Sequence, residues 1–445
     1  MSVPTPFTWL PTFAHGGVEG ALGMPFSLYL YLLAALLLVV YLALRAQPAP
    51  LVPSSVGRSV LHPPTWLRLG AQVGGHLLGA VVWLVVLTAG LFGTESSASN
   101  IIWLASSVGL LAAFSFVSVL VGDLWRALSP FRGLGLLARR WVPDDAEPPA
   151  WAGWVAPAGV LSLAWFLLAR ENVDEPRGLG AWMLVYSLVI VAGTLRWGLA
   201  WVHRAEGFGV LFGLFASLAF LHGEQRDDDA QSDLRVRWPL VGAAGLVPTP
   251  GAALTLAAGL ALVLFDLFST TDLWLDLLRE ADGTTFVLMQ SAGLLLAFGL
   301  AVVVAMAVGR GAGDGPDAGQ HLPVLLVPGF VGVVAGLTIA QDLPTLLIDG
   351  QFLPILASDP YGQGWDLFGT SANVVEFEPL TAAVFAWIEY GAIIVGSLAS
   401  LLVGHDVLAS RDDVRPLSRS LFVLGVAVGL VALAGLAMVL GASAD

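Results

Sequence analysis

Ten apolar runs, each close to 20 residues long, recur from one end of this chain to the other, at about 24–44, 69–92, 101–121, 151–169, 179–200, 250–270, 285–308, 322–340, 380–403 and 420–441. At 1.5 Å per residue, each covers the roughly 30 Å of hydrocarbon in a bilayer. Lipid offers no hydrogen bonds to backbone N–H and C=O groups, so such runs fold as helices that satisfy their own backbone. The expected fold class is all-α, a polytopic transmembrane helical bundle of about ten spans whose first partner is the lipid bilayer. Residues 1–23 form an N-terminal segment ahead of one membrane domain, 24–445. With 57% of residues apolar and 12% charged, the chain lacks the polar atoms to cover a water-soluble globule.

Two further apolar stretches, Phe208–Leu221 and Leu343–Ala357, are too short for an ordinary crossing, and Asp349-Gly350-Gln351 interrupts the second. They are expected to be re-entrant or interfacial segments. Arginine placement supports that count, because cytoplasmic loops collect positive charge. If neither stretch crosses and the chain starts outside, only Arg170, Arg177 and Arg279 fall outside, a 16 to 3 split of the 19 arginines. If both cross, the split weakens to 13 to 6. The expected location is the cell membrane, multi-pass, with both termini extracytoplasmic. The cytoplasmic loops are then 122–150 and 204–249, and the large outer loop is 341–379. The first 22 residues carry neither a basic nor an apolar signal region, so the first span is expected to act as an uncleaved anchor. Asp123–Trp141 mixes Trp, Leu and Arg, as a segment at headgroup level does. Gly332–Gly336 and Gly425–Gly429 have the spacing that lets two helices approach closely.

Charge and residue choice exclude several classes of function. There is no cysteine, hence no disulfide, thiolate metal site or cysteine nucleophile. All 19 basic residues are arginine, and the formal charge is -14, which argues against nucleic acid as a partner. An acidic, lysine-free chain with a run such as Asp227-Asp228-Asp229 suggests a halophile. No serine-hydrolase elbow, H-E-x-x-H pair or phosphate-binding loop occurs.

An ionisable side chain in hydrocarbon is costly, so each one needs a role or a route to water. Asp266, Gln290, Gln341, Asp342 and Glu389 all fall in the outer half of the predicted membrane domain, where they could line one outward-facing cavity. Asp266 and Asp342 could equally just reach the interface. Glu389 lies deepest and has no arginine nearby in sequence, which makes it the candidate protonatable carboxyl. His76, His321 and His405 fall toward the inner side, where they could share a metal or proton site or serve as helix ends; His203 and His222 read as loop residues. His15, with Glu19 four residues on, is a further candidate ligand on the outer side. A divalent metal held by His15, His321 or His405 is the cofactor these residues suggest. Between Arg310 and Arg411 there is no basic residue, while Asp342, Asp349, Asp359, Asp366, Glu376 and Glu378 cluster outward, a surface that concentrates cations, although a halophile's solvation needs account for these acids equally well.

The segment SDPYGQGWDLFGTS at 358–371, with HLPVLLVP from His321 and VGHDVLASR ending at Arg411, resembles a family of bacterial and archaeal polytopic membrane proteins labelled fenitrothion hydrolase. GDLWRALSPFRGL at 122–134 and AHG at 14–16 are similar as well. Members often carry histidines where this chain has Gln341 and Ser397, a departure that bears on any metal site built from His321 and His405. The resemblance implies hydrolysis of organophosphate-type esters, with a membrane partner subunit. The residues themselves point first to transport of a small solute or cation, with Glu389 as the coupling carboxyl. A membrane-embedded hydrolase and a noncatalytic subunit are the alternatives.

Overall fold

A computed structural model describes residues 26–53, 58–61, 64–143, 145–170, 175–224, 233–312, 327–410 and 417–441. In chain order these form α1 (Phe26–Leu44), β1 (Arg58–Leu61), α2 (Thr65–Phe92) and α3 (Ile101–Leu120), then short α4 (Leu124–Leu128) and α5 (Pro130–Ala138). Next come α6 (Val155–Leu168), α7 (Pro176–Ala205), α8 (Gly207–Ala216), β2 (Leu221–Glu224), β3 (Asp233–Val236), α9 (Val241–Ala244), α10 (Pro250–Ser269) and α11 (Asp272–Leu278). The chain ends with α12 (Gly283–Ala312), α13 (Pro328–Ile348), α14 (Phe352–Ser358), α15 (Ala382–Ala409) and α16 (Leu417–Gly441). Among the described residues ten helices are long and apolar enough to cross a membrane, one at each predicted run, and the protein is an all-α, multi-pass integral membrane bundle. The eighth span does not stop at Ala340, where its apolar run ends. α13 continues through Gln341 and Asp342 to Ile348, and a 3-10 turn at Asp349–Gln351 leads into α14. The two polar residues stay in the helix because they face a cavity rather than lipid. Helix therefore occupies the first part of the stretch 341–379 that the sequence reads as outer loop.

Contacts between the connections fix how the spans run. β3 pairs antiparallel with β1, from the α1–α2 connection, and with β2, from the connection after α8, so those two connections share one face, the sheet face. At the other end Thr94 N–H donates to the Tyr361 carbonyl at 2.9 Å and Ile101 N–H to the Pro360 carbonyl at 3.3 Å. The α2–α3 turn and the loop after α14 therefore share the opposite face, the loop face. Neither short apolar stretch adds a crossing. Tyr41 reaches the Ser418 carbonyl, and Tyr29 packs edge-on against Tyr390, so α1 runs toward the sheet face and α16 away from it.

The first short stretch is a re-entrant hairpin, and glycine makes it. Gly198, at φ 61 and ψ -143, breaks α7 in a conformation that a side chain would resist. Beyond the break Trp201 stacks on Trp197 with ring centroids 5.0 Å apart and lies against Gly193. The Tyr186 hydroxyl donates to Glu206 Oε1 at 2.7 Å, whereas twenty residues of unbroken helix would hold the two about 30 Å apart. The chain thus folds back along itself to Glu206 and descends again as α8. At the foot of α8, Arg237 donates to the carbonyls of Ala216, Ser217 and Ala219, capping the negative end of the helix.

The tightest crossing joins α13 and α15. Gly332 and Gly336 meet Gly396 and Ala392, Gly329 meets Gly404, and Val333 N–H donates to Ser400 Oγ at 2.7 Å. A Cβ at Gly332 would stand 2.5 Å from the Gly396 carbonyl oxygen. Gly425 and Gly429 have looser neighbours, side chains of Leu401, Tyr41 and Leu37 at 3.8–3.9 Å. In lipid such pairs hold through close van der Waals packing. Gly332→Val or Gly396→Val should therefore cost about 1–3 kcal/mol, read as a lower melting temperature in detergent. Unchanged melting would mean that the crossing yields without penalty.

The loop after α14 owes its shape to two aspartates. Asp359 accepts the amides of Gln363 and Gly364, and Asp366 Oδ1 accepts the Ser358 hydroxyl at 2.9 Å and the Ser371 amide at 3.2 Å. Gly362, Gly364 and Gly369 take positive φ at its turns. The bond from the Ser358 hydroxyl, with those from Ser371, holds the Asp366 carboxyl below its ordinary 3.8. SDPYGQGWDLFGTS is thus the recipe for a folded loop.

Candidate functional site

A cavity of about 170 Å³ lies among α3, α6, α8, α10 and α13. Its upper wall, near the loop face, is Trp103, Leu168, Asp266 and Thr345; its lower part is Ser115, Gly259, Leu211 and Phe215. Helix register sets this order. Asp266 is three residues from the loop-face end of α10 at Ser269, and Gly259 is seven residues deeper. The cavity therefore runs from the loop-face end past the middle of the bundle, Ser115 lying five residues from the sheet-face end of α3, and α8 forms its lower wall.

Three of the five residues grouped from sequence converge here. Asp266, Gln341 and Asp342 line the cavity together, and the Gln341 amide donates to Asp266 Oδ2 at 2.9 Å. The Gln341 side-chain oxygen is buried and has no hydrogen bond among the described residues. Around them are the hydroxyl-bearing residues Ser107, Ser115, Thr338 and Thr345. Two irregular helices frame the site. α3 winds as a π-helix from Ala105 to Ala113, a geometry that recurs at functional sites. Pro344 sits inside α13 and offers no N–H to the Ala340 carbonyl, a turn from the carboxyls. The lining thus carries seven oxygen-bearing side chains among nine apolar or glycine residues, and no cationic one. Hard cations choose oxygen ligands of this kind.

The other two residues lie elsewhere. Gln290 accepts from the Trp274 indole at 2.8 Å, between α12 and α11. Glu389 is 2% exposed on α15, and its Oε1 has no hydrogen bond among the described residues. One turn before it Phe385 packs with Leu343, Ile339 and Leu346, a different side of α13 from the cavity residues.

Of the histidines, His405 has both ring nitrogens engaged, one with the Asp406 carboxylate at 2.9 Å and one with the Gln47 carbonyl at 2.8 Å. Asp406 in turn accepts the amides of Leu51 and Val52. This pair ties the α1–β1 connection to the end of α15 and leaves the imidazole no free nitrogen for a metal. His76 packs against Gly133 of α5, and His203 meets Arg132 at 2.7 Å. His15 and His321 lie outside the described residues. Among the described residues no three His, Asp or Glu side chains gather as a metal site.

Sequence reasoning missed Glu206. Its carboxylate is 1% exposed and accepts four hydrogen bonds, from the Tyr186 hydroxyl, the Trp125 indole and the amides of Phe208 and Gly209. Buried and fully satisfied, it holds the apex of the hairpin. On the far side of α8 from the cavity, Asp123 caps α4 by accepting the Arg126 amide at 2.9 Å, and its other oxygen lies near Gly213. Burial pushes the Asp123 carboxyl above its ordinary 3.8, against the opposing pull of that amide and of Arg126 and Arg132.

No protein-family model, curated protein or solved structure matches this chain.

Proposed function

We propose that this protein transports a small inorganic cation through the loop-face cavity, with Asp266 and Asp342 as the binding and coupling carboxyls. The observation that carries the reading is the convergence of two carboxyls and the Gln341 amide on one cavity at membrane depth, where a purely structural carboxyl would be a liability. The cavity is smaller than the roughly 300–1,000 Å³ of sites for drug-sized ligands, which favours an ion over a bulky ester. The alternative of ester hydrolysis, implied by the family resemblance, rests on carboxylates with His15 or His321, which lie outside the described residues.

Orientation follows from the arginines. Arg45, Arg68, Arg126, Arg139, Arg140, Arg204, Arg235, Arg237, Arg310 and Arg419 belong to the sheet-face end of the bundle. The three at the loop face are each ion-paired: Arg170 with Glu175, Arg177 with Glu95 and Arg279 with Asp276. The sheet face is then cytoplasmic and the cavity opens outward.

In proteoliposomes, Asp266→Asn and Asp342→Asn should each lower cation uptake at least about 10-fold, a loss of about 1.4 kcal/mol or more in the rate-limiting step. Gln290→Ala, remote from the cavity, should leave uptake near the wild-type rate. Uptake indifferent to both aspartates would reject the reading.

A further inference from the structure

We propose that α8, the descending limb of the re-entrant hairpin, is the barrier that divides a transmembrane cation path, with Phe215 and Leu211 walling the cavity off from the sheet-face region around Asp123. This rests on the cation reading of the cavity. Five observations on the two sides of α8 carry it. Phe215 and Leu211 line the lower wall of the cavity, below Asp266 and Asp342. They are 1% and 3% exposed, so the layer is packed shut. Two residues before Phe215, Gly213 turns to the other side, where the nearest atom to a Cβ would be Asp123 Oδ2 at 3.8 Å. A carboxylate thus stands on each side of a layer only one helix thick. Finally, α8 is held at both ends, by Glu206 at the apex and Arg237 at the foot, so it stays a defined element between two polar regions.

α8 is 10 residues long and belongs to a hairpin that enters and leaves by one face, so what separates the cavity from the region around Asp123 is the width of a single helix, about 10 Å. Trimming the apolar side chains of this layer therefore joins the two regions, whereas trimming apolar side chains on a lipid-facing span does not.

The natural absence of cysteine makes single-cysteine probes clean. Silver ion, itself a small cation that reacts with thiols, is added to one side of sealed proteoliposomes of known orientation. Residual thiol is then counted with a maleimide after solubilisation. Ser115→Cys should react from the loop face and Gly213→Cys from the sheet face. Adding Phe215→Ala or Leu211→Ala to Gly213→Cys should raise its reaction rate from the loop face at least 10-fold. Val81→Ala, on the exposed side of α2, should not change it. Two results overturn the proposal: Gly213→Cys reacting freely from the loop face in the otherwise unaltered chain, or remaining closed to it in both alanine variants that keep the wild-type gel-filtration profile. If both alanine variants lose that profile, Phe215→Leu and Leu211→Val are used under the same criteria. Thiol access does not depend on which solute is carried. If access opens while uptake ignores Asp266 and Asp342, the barrier stands and the cation reading alone falls.

Discussion

Glu206→Ala should destabilise the bundle by about 3–5 kcal/mol, the largest loss expected from any single substitution described for this chain. Its carboxylate is the common acceptor for the Tyr186 hydroxyl, the Trp125 indole and two amides at the start of α8. Truncation leaves four donors facing a methyl group inside an aromatic shell of Trp83, Trp125, Tyr186, Phe208 and Phe212, where water does not replace the lost acceptor. Glu206→Gln should fall between the two. One amide oxygen can still serve Tyr186 and Phe208, but its NH₂ would point at the Trp125 and Gly209 donors. The measurement is thermal unfolding in detergent with a fluorescence readout. The Tyr186→Phe variant, which removes one donor and leaves the others paired, should cost only about 0.5–1.5 kcal/mol. An alanine variant as stable as the wild type would mean that the hairpin apex is held by aromatic packing alone.

The same residue explains how much of this fold could be read in advance. The ten spans were legible because each spends about 20 residues on apolar side chains, a signal that depends only on lipid and length. The non-crossing character of Phe208–Leu221 was legible from its length and from the arginines that follow it. The reversal at Gly198 was not, because the apolar run continues across it and the decisive feature is a backbone angle. Nor was the role of Glu206 visible: in the sequence it is a single acid after an arginine and an alanine, and its four donors come from positions up to 81 residues away. Asp266, Gln341 and Asp342 were found because their polarity conflicts with their surroundings, which is a local signal. Their separation from Glu389 and Gln290 depends on which side of each helix faces which neighbour. Nearly featureless apolar helices, hydrophobic all round, give no periodicity from which to read that. The π-helical turn of α3 is likewise a product of packing.

Asp342→Asn should separate stability from activity. In the wild-type chain two carboxyls share a cavity of about 170 Å³, and Gln341 donates its one hydrogen bond to Asp266. If a cation binds between them, as proposed, it offsets the burial of both carboxyls, and only in the folded state. Bound ligand then stabilises by about 2.7 kcal/mol at 100 times its Kd, so on that proposal the wild-type melting temperature should climb as a cation that binds there is added. In Asp342→Asn an amide that can take no negative charge replaces one of the two carboxyls. The variant should melt at or above the wild-type temperature without cation, show no further rise on adding it, and carry no flux. This pairing of outcomes is informative because a merely structural Asp342 behaves oppositely: its amide variant would lose stability at every cation concentration while the remaining folded protein kept the wild-type response. Differential scanning with sodium, potassium and lithium salts, each against a choline control of equal ionic strength, reads both arms, and a cation-dependent rise that survives in the variant places the ion somewhere other than between Asp266 and Asp342.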